Sequence, residues 1–321
     1  MAGCGGGSGD PGVAPTGDVV GPPTVAATLG TAASDATAAS RATGEAADAT
    51  IARSAAMGGL FGLVNSPGSN APATPLLQRA AAASRKRALR AENMSCDDFV
   101  DLPCTGNAVA DTNIAESATA VIPGDYIDIR FNNLSGRLFG ASTSLLGRMR
   151  LDFQSGLNLS GGTLAGLNVL VTLEQLSGSL AGYAFGPVSD VGRLQVSATG
   201  VQTITAGGRS FSGLRSVTAT GAGSFNVGAG TVRSAHWSAP GAYVDVTLSN
   251  WRVTANRPQV GSQATLTAAS GRITLRVSAS SATSVVYALS LSSPTGATVN
   301  YTVTASYPSG GGSPTYVATP A

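Results

Sequence analysis

From about residue 109 to residue 308, apolar side chains recur at every second position. In "DYIDIRFNNLSG" (125–136), Ile127, Ile129 and Phe131 fall on one side of an extended chain, and Tyr126, Asp128 and Arg130 on the other. Nine further runs of this kind follow, from "GRMRLDFQSGLNL" to "ATVNYTVTASY", each bounded by Gly, Pro, Ser or Asn. Thr and Val favour strands, and 42 glycines suit turns and bulges. No helical pattern separates the runs, which argues against parallel βαβ units. The expected fold is mainly β: duplicated antiparallel sheets, sandwich or barrel-like, with an N-terminal α-helical arm.

The duplication is read from an internal repeat. "PGDYIDIRFNNL" (123–134) matches "PGAYVDVTLSNW" (240–251) at Pro, Gly, Tyr, Asp and Asn, and "GRMRLDF" (147–153) resembles "GRITLRV" (271–277). Each copy enters its strand through a Pro-Gly pair, Pro123-Gly124 or Pro240-Gly241, suited to a type II-like turn. Tyr126, Asp128, Tyr243 and Asp245 then share the face opposite the apolar one. As functional groups they are paired contacts for a ligand or partner. As structural ones, the tyrosines pack across strands and the aspartates are solvated or bond to turns.

Ahead of the β region, "SDATAASRATGEAADATIARSAAMGGLFGLV" (34–64) is Ala-rich, with Ser34 placed to cap a helix. Its Ile51, Ala55 and Leu60 are spaced to face a partner surface. "NSPGSNAPATP" breaks it, and a second helix is expected over 75–92 with Pro75 in its first turn. The cluster Arg85, Lys86, Arg87 and Arg90 reads as a solvated face that complements the helix dipole. The expected layout is a lipid-attachment cysteine and flexible tether (1–33), a helical arm (34–92), a disulfide loop (93–110), β units at 111–220 and 221–308, and a flexible tail (309–321).

Three cysteines leave one unpaired. Cys96 and Cys104 in "CDDFVDLPC" enclose seven residues including Pro103, a loop that can bring two Cα atoms within bridging range. Cys4 is the remainder. It stands in "MAGCGGGSGD", before a Gly- and Pro-rich stretch. Met1-Ala2-Gly3-Cys4 resembles the end of a bacterial lipobox, in which an aliphatic residue, a small residue and Gly or Ala precede the cysteine. Met1 stands where that family usually has Leu, and the family's signal peptide does not precede it: either the start codon lies upstream or the signal has been trimmed from the sequence. The resemblance implies that Cys4 carries three acyl chains, palmitate among them, as the first residue of the mature protein. It also implies export and anchoring at the cell envelope, in the outer membrane. Several chains together anchor stably, and an oxidising compartment permits Cys96–Cys104 to form. Thirty residues of tether span on the order of 30 Å as a coil.

Only 11% of the residues are charged and the net charge is +2, so no strong field suggests a nucleic-acid partner. No run of 18 apolar residues offers a spanning helix. The one histidine, His236, lies beside Trp237 ahead of the second repeat. A multi-histidine metal site is thereby excluded, and the pair is kept as a ligand or partner contact. Asp97, Asp98 and Asp101 fit no EF-hand spacing and read as a hydrated, disulfide-pinned loop rather than a Ca²⁺ site. "GRSFSG" (208–213) misses the nucleophile-elbow spacing. No metal, cofactor or catalytic residue is expected. Aromatics at 5% argue against a carbohydrate-stacking surface.

The sequence supports three functional readings in order. The first is a lipid-anchored envelope protein with a non-catalytic binding or structural role, its partner an envelope protein or an apolar ligand. The second is a self-assembling extracellular subunit of an appendage or fibre. The third is a hydrolase, which needs a cleft lined by two carboxylates or by His236 and a serine.

Overall fold

A computed structural model describes residues 18–61, 64–65, 92–98, 100–115, 118–138, 141–158, 165–180, 183–199, 202–212, 217–221, 223–309 and 312–321. Strand β1 (Val25–Ala26) precedes helix α1 (Ala33–Phe61), and β2 (Val64–Asn65) follows it. Next come β3 (Glu92–Ser95), β4 (Asp101–Thr112), β5 (Ala120–Val121), β6 (Tyr126–Leu138), β7 (Ala141–Phe153) and β8 (Leu157–Asn158). After these run β9 (Asn168–Leu180), β10 (Tyr183–Val196), β11 (Gln202–Ala206), β12 (Arg209–Ser212) and β13 (Val217–Gly221). β14 (Ser224–Ala235), β15 (Ala242–Thr254), β16 (Arg257–Pro258) and β17 (Gln263–Thr267) are next. The chain ends with β18 (Arg272–Ser280), β19 (Ser284–Ser292), β20 (Thr298–Ser306) and β21 (Thr315–Pro320).

The main sheet is an antiparallel meander. Its backbone order is β3-β4-β6-β7-β9-β10-β11-β12-β14-β15-β17-β18-β19-β20-β21. The short β13 and β16 double onto β14 and β15, and β5 pairs with β8 apart from the rest. Among the described residues the edge strands β3 and β21 do not pair with each other, so the sheet does not close into a barrel. The boundary expected at 220/221 falls at the end of β13, and one sheet carries both repeat copies.

The sheet curls because it serves one helix. α1 packs against β9 and β10, against β14 and β15, and against β19, β20 and β21. A flat sheet from β9 to β21 would be about 48 Å wide at the usual strand spacing. At one level of the helix, Arg41 and Glu45 line one cavity with Arg209 of β12 and Ser234 of β14 and another with Trp251 of β15 and Tyr316 of β21, so the sheet bends around the helix. The inner face supplies the core: Phe131, Phe153, Phe211, Phe225, Trp251 and Tyr287 are fully buried there.

α1 meets this core with small residues. Ala36, Ala39, Ser40, Thr43, Ala46, Ala47, Thr50, Ile51 and Ser54 are buried along one face. The hydroxyls of Ser40, Thr43 and Thr50 donate to the carbonyls four residues earlier, at 3.0, 2.8 and 2.7 Å, so their burial leaves no orphaned donor. The helix is capped by Asp35 rather than Ser34. Its carboxylate accepts the Ala32 backbone N–H at 3.1 Å, the reciprocal half of a capping box. The second helix expected over 75–92 lies outside the described residues up to 91, and its last position, Glu92, opens β3. Among the described residues no helix is long and apolar enough to cross a membrane.

Three segments differ from the expected layout. The tether does not extend to 33: Val25 and Ala26 pair in parallel with Ala242 and Tyr243, and Leu29 is buried. The tail is not loose: β21 pairs along β20, with Tyr316 half-buried against the core. The disulfide loop is shorter than 93–110, because β3 and β4 pair on either side of it. Cys96 and Cys104 form a disulfide with Cα atoms 5.8 Å apart.

Candidate binding site

The two repeat copies place their Tyr and Asp residues on the outer face of the sheet, each pair beside an arginine. In the first, Arg150 lies directly across from Asp128 and its guanidinium sits 4.3 Å from the Tyr126 ring centre. Arg148 donates to Asp128 from Nε at 2.8 Å and to Glu174 from Nη1 at 3.0 Å. The hydrogen bond to Asp128, then that to Glu174, outweighs desolvation and pushes the Arg148 guanidinium further up. In the second copy, Arg233 lies across from Asp245, donates to both its oxygens at 2.7 and 2.8 Å, and sits 3.8 Å from the Tyr243 ring centre. The arginine comes from the following strand in one copy and the preceding strand in the other. The tyrosines pack across strands, as in the structural reading given above, but the aspartates are neither solvated nor bonded to turns: both are ion-paired to arginines of the neighbouring strand.

The entry turns differ. Gly124 takes φ 93° and Asp125 N–H bonds back to Ile122 at 3.1 Å, a type II geometry. Ala242 N–H bonds back to Ala239 at 2.9 Å, but Gly241 does not take a positive φ.

His236 is buried, with its ring centre 4.0 Å from that of Trp237. Its Nδ1 accepts the Ser238 backbone N–H at 3.3 Å, and the Ser238 hydroxyl lies 3.2 Å from the same atom. Nε2 has no hydrogen-bond partner among the described residues. Burial pushes the imidazole below its usual range, against the pull of the Asp35 charge. Asp35 instead accepts the Trp237 indole N–H at 3.3 Å, tying the turn before β15 to the start of α1. Serine, histidine and aspartate are thus neighbours, but the acid–imidazole bond that a triad needs is not made.

The side of α1 away from its small-residue face carries Arg41, Glu45 and Asp48, at positions i, i+4 and i+7. These three line a cavity of about 390 Å³ between α1 and the sheet. Trp251 from β15, Tyr307 beyond β20 and Tyr316 from β21 close it on the sheet side. Tyr287, fully buried, lies beside Tyr307. With 2 tryptophans and 7 tyrosines in the whole chain, three of these nine residues meet at one cavity. A low overall aromatic content therefore does not exclude an aromatic-walled site.

Asp48 is open to the cavity yet ringed by protein, and the shortage of bulk water raises its carboxyl to about 6. Repulsion from Glu45 adds to the rise and Arg257 opposes it. Burial likewise raises the phenols of Tyr307 and Tyr316. A second cavity of about 570 Å³ shares Arg41 and Glu45 and is bounded by Arg209 and Trp237. Arg209 lies 3.5 Å from Glu45 there.

Sequence reading missed Asp48, Tyr307 and Tyr316, which stand in unrelated local patterns and meet only through the curl of the sheet. Among the described residues no group of three His, Cys, Asp or Glu side chains could hold a metal ion. Cys4 lies outside the described residues. No protein-family model, no curated protein and no solved structure matches the chain.

Proposed function

We propose that this chain is a lipid-anchored protein of the bacterial cell envelope with a non-catalytic binding role. The cavity between α1 and the curled sheet carries the binding part of this reading: it is walled by fixed aromatic and charged side chains from four separate elements. Glu45 and Asp48 are neighbours on one helix, about 5–6 Å apart at Cβ. The lipobox-like Met1–Cys4 and the Gly- and Pro-rich stretch behind it support the anchor and the envelope location, the outer membrane above all. The Cys96–Cys104 bridge fits an oxidising compartment.

The anchor is tested by fractionating a bacterium that expresses the gene with its own upstream region. The protein is expected in the membrane fraction, and a Cys4→Ser variant in the soluble one. Equal partitioning of the two would refute the anchor.

Among the described residues the edges β3 and β21 lack an outer partner, which favours a second reading, a self-assembling extracellular subunit of an appendage or fibre, because unpaired edges are templates for further strands. Sedimentation separates the two: a concentration-independent monomer supports the binding protein, a polymer the assembling subunit.

A further inference from the structure

The outer face of the sheet is electropositive over its last strands. The chain has 19 Lys and Arg against 17 Asp and Glu, yet four arginines and no acidic residue fall after Asp245. Arg252 donates to the Val260 carbonyl, and Arg257 to that of Asn256 at 3.1 Å. Arg272 and Arg276 are exposed on β18, and among the described residues their side chains make no hydrogen bond or ion pair. Strand alternation puts Arg272, Thr274 and Arg276 on one side, with the arginines about 13 Å apart. Thr274 between them stands opposite Thr265 on β17 and Ser290 on β19, and Ser290 stands opposite Asn300 on β20. All six line one open cavity of about 550 Å³, a volume within the range of small-molecule sites. Two long cationic side chains thus flank a floor of short hydroxyl and amide groups, each able to donate a hydrogen bond.

Little negative charge competes for this place. Among the described residues no Asp or Glu lines the cavity. Asp245 stands two strands away from Arg272, and both its oxygens are taken by Arg233. Ala321 lies at the rim, beside Asn300 and three strands from Thr274, about 14 Å by strand spacing. That exceeds a Debye length of about 8 Å at physiological salt, so a carboxylate there leaves the floor electropositive. A guanidinium forks onto two oxygens of a carboxylate or a phosphate. One carboxylate has the charge and the oxygens for one arginine. A phosphomonoester carries nearly two negative charges and three acceptor oxygens at neutral pH, enough for both arginines and a floor hydroxyl. An anionic bilayer is a poorer match, because its recognition takes a cluster of about four to eight basic residues. We infer that the outer face of β17–β20 binds a small phosphomonoester between Arg272 and Arg276. This site shares no residue with the cavity beside Asp48 and depends on neither that cavity nor the anchor.

Calorimetric titration of the full chain with glycerol 3-phosphate tests it, beside succinate and vesicles of phosphatidylcholine that contain phosphatidic acid. Glycerol 3-phosphate is expected to bind saturably with a Kd of about 0.1–1 mM. Arg272→Gln and Arg276→Gln should each weaken that binding at least about fivefold. Arg130→Gln, at an exposed position on β6, should leave it unchanged. All three positions are exposed, and a circular-dichroism melt of each variant checks that the fold is kept. Binding unchanged in both β18 variants, or weakened equally by Arg130→Gln, would overturn the site. Succinate bound as tightly as glycerol 3-phosphate would overturn the ligand class. Binding to the vesicles without binding of glycerol 3-phosphate would replace the small molecule by a membrane surface. No binding of any of the three would overturn the inference, and the fractionation of Cys4→Ser would still decide the anchor by itself.

Discussion

Asn133 and Asn250 occupy matched places in the two repeat copies, and both take a left-handed backbone, with φ of 50° and 47°. In the first copy this residue sits at a shift in register between β6 and β7, between Phe131 and Leu134. Asn tolerates this conformation better than other non-glycine residues. Replacing either Asn by Gly should leave stability within about 0.5 kcal/mol, while Val should cost more than about 1 kcal/mol at each site. Urea unfolding of the four single variants checks this. Equal costs for Gly and Val would show that the left-handed turn is not what the repeat preserves.

The ion pairs of the two copies should differ in weight. Asp128 and Arg150 are each 6% exposed, whereas the Arg233 side chain opposite Asp245 is 38% exposed. Removing one partner of a buried pair costs roughly 3–5 kcal/mol when the other is orphaned. Here Arg148 keeps Glu174 and Arg150 keeps Asp152, so Asp128→Ala should cost about 2 kcal/mol. Asp245→Ala, nearer the solvent, should cost about 1 kcal/mol or less. Chemical denaturation that ranks Asp245 above Asp128 would contradict this assignment.

Asp48 should make stability depend on pH. Its carboxyl is raised from 3.8 to about 6 in the folded chain, so the folded state holds the proton more tightly than the unfolded one. The resulting stabilisation is fully present below about pH 4 and is lost as the pH rises through about 6. Glu45 drives the shift further and Arg257 limits it. Asp48→Asn should therefore be as stable as the parent at pH 4 and more stable at pH 7.5. Denaturation midpoints at the two pH values check this, and a larger gain at pH 4 would reverse the sign.

Gly30 and Asp35 should be energetically coupled. A Cβ at Gly30 would overlap the Asp35 carboxylate, which caps α1 and accepts the Trp237 N–H. Asp35→Ala should cost about 1 kcal/mol through the lost cap. Gly30→Ala should displace the same carboxylate and cost a similar amount. The double variant should then cost clearly less than the two single effects together. Simple additivity in a double-mutant cycle would show that Gly30 acts elsewhere.

The strands were legible because one face of each is buried. The alternation at Ile127, Ile129 and Phe131, repeated at Val244, Val246 and Leu248, is a direct record of the inner face. The helix was legible in extent, from its alanines and its breakers, but not in position. Its buried face is Ala, Ser and Thr, which carries little hydrophobic contrast, and its Arg41, Glu45 and Asp48 edge reads in sequence like any solvated face. The strap at Val25–Ala26 was hidden for a similar reason: two residues of backbone pairing leave no period to detect. The cavity was not legible at all. Trp251 comes from β15, Tyr307 from just beyond β20 and Tyr316 from β21, and only the curl around α1 brings them together.

The anchor at Cys4 is the claim on which the envelope reading depends, and the mass of the mature N-terminus tests it most directly. Cells carrying the gene with its upstream region would be fed labelled palmitate, beside a Cys4→Ser strain. The reading predicts an N-terminal peptide that begins at Cys4 and carries the label, with no label in the variant. An unlabelled peptide with Met1 intact would contradict it.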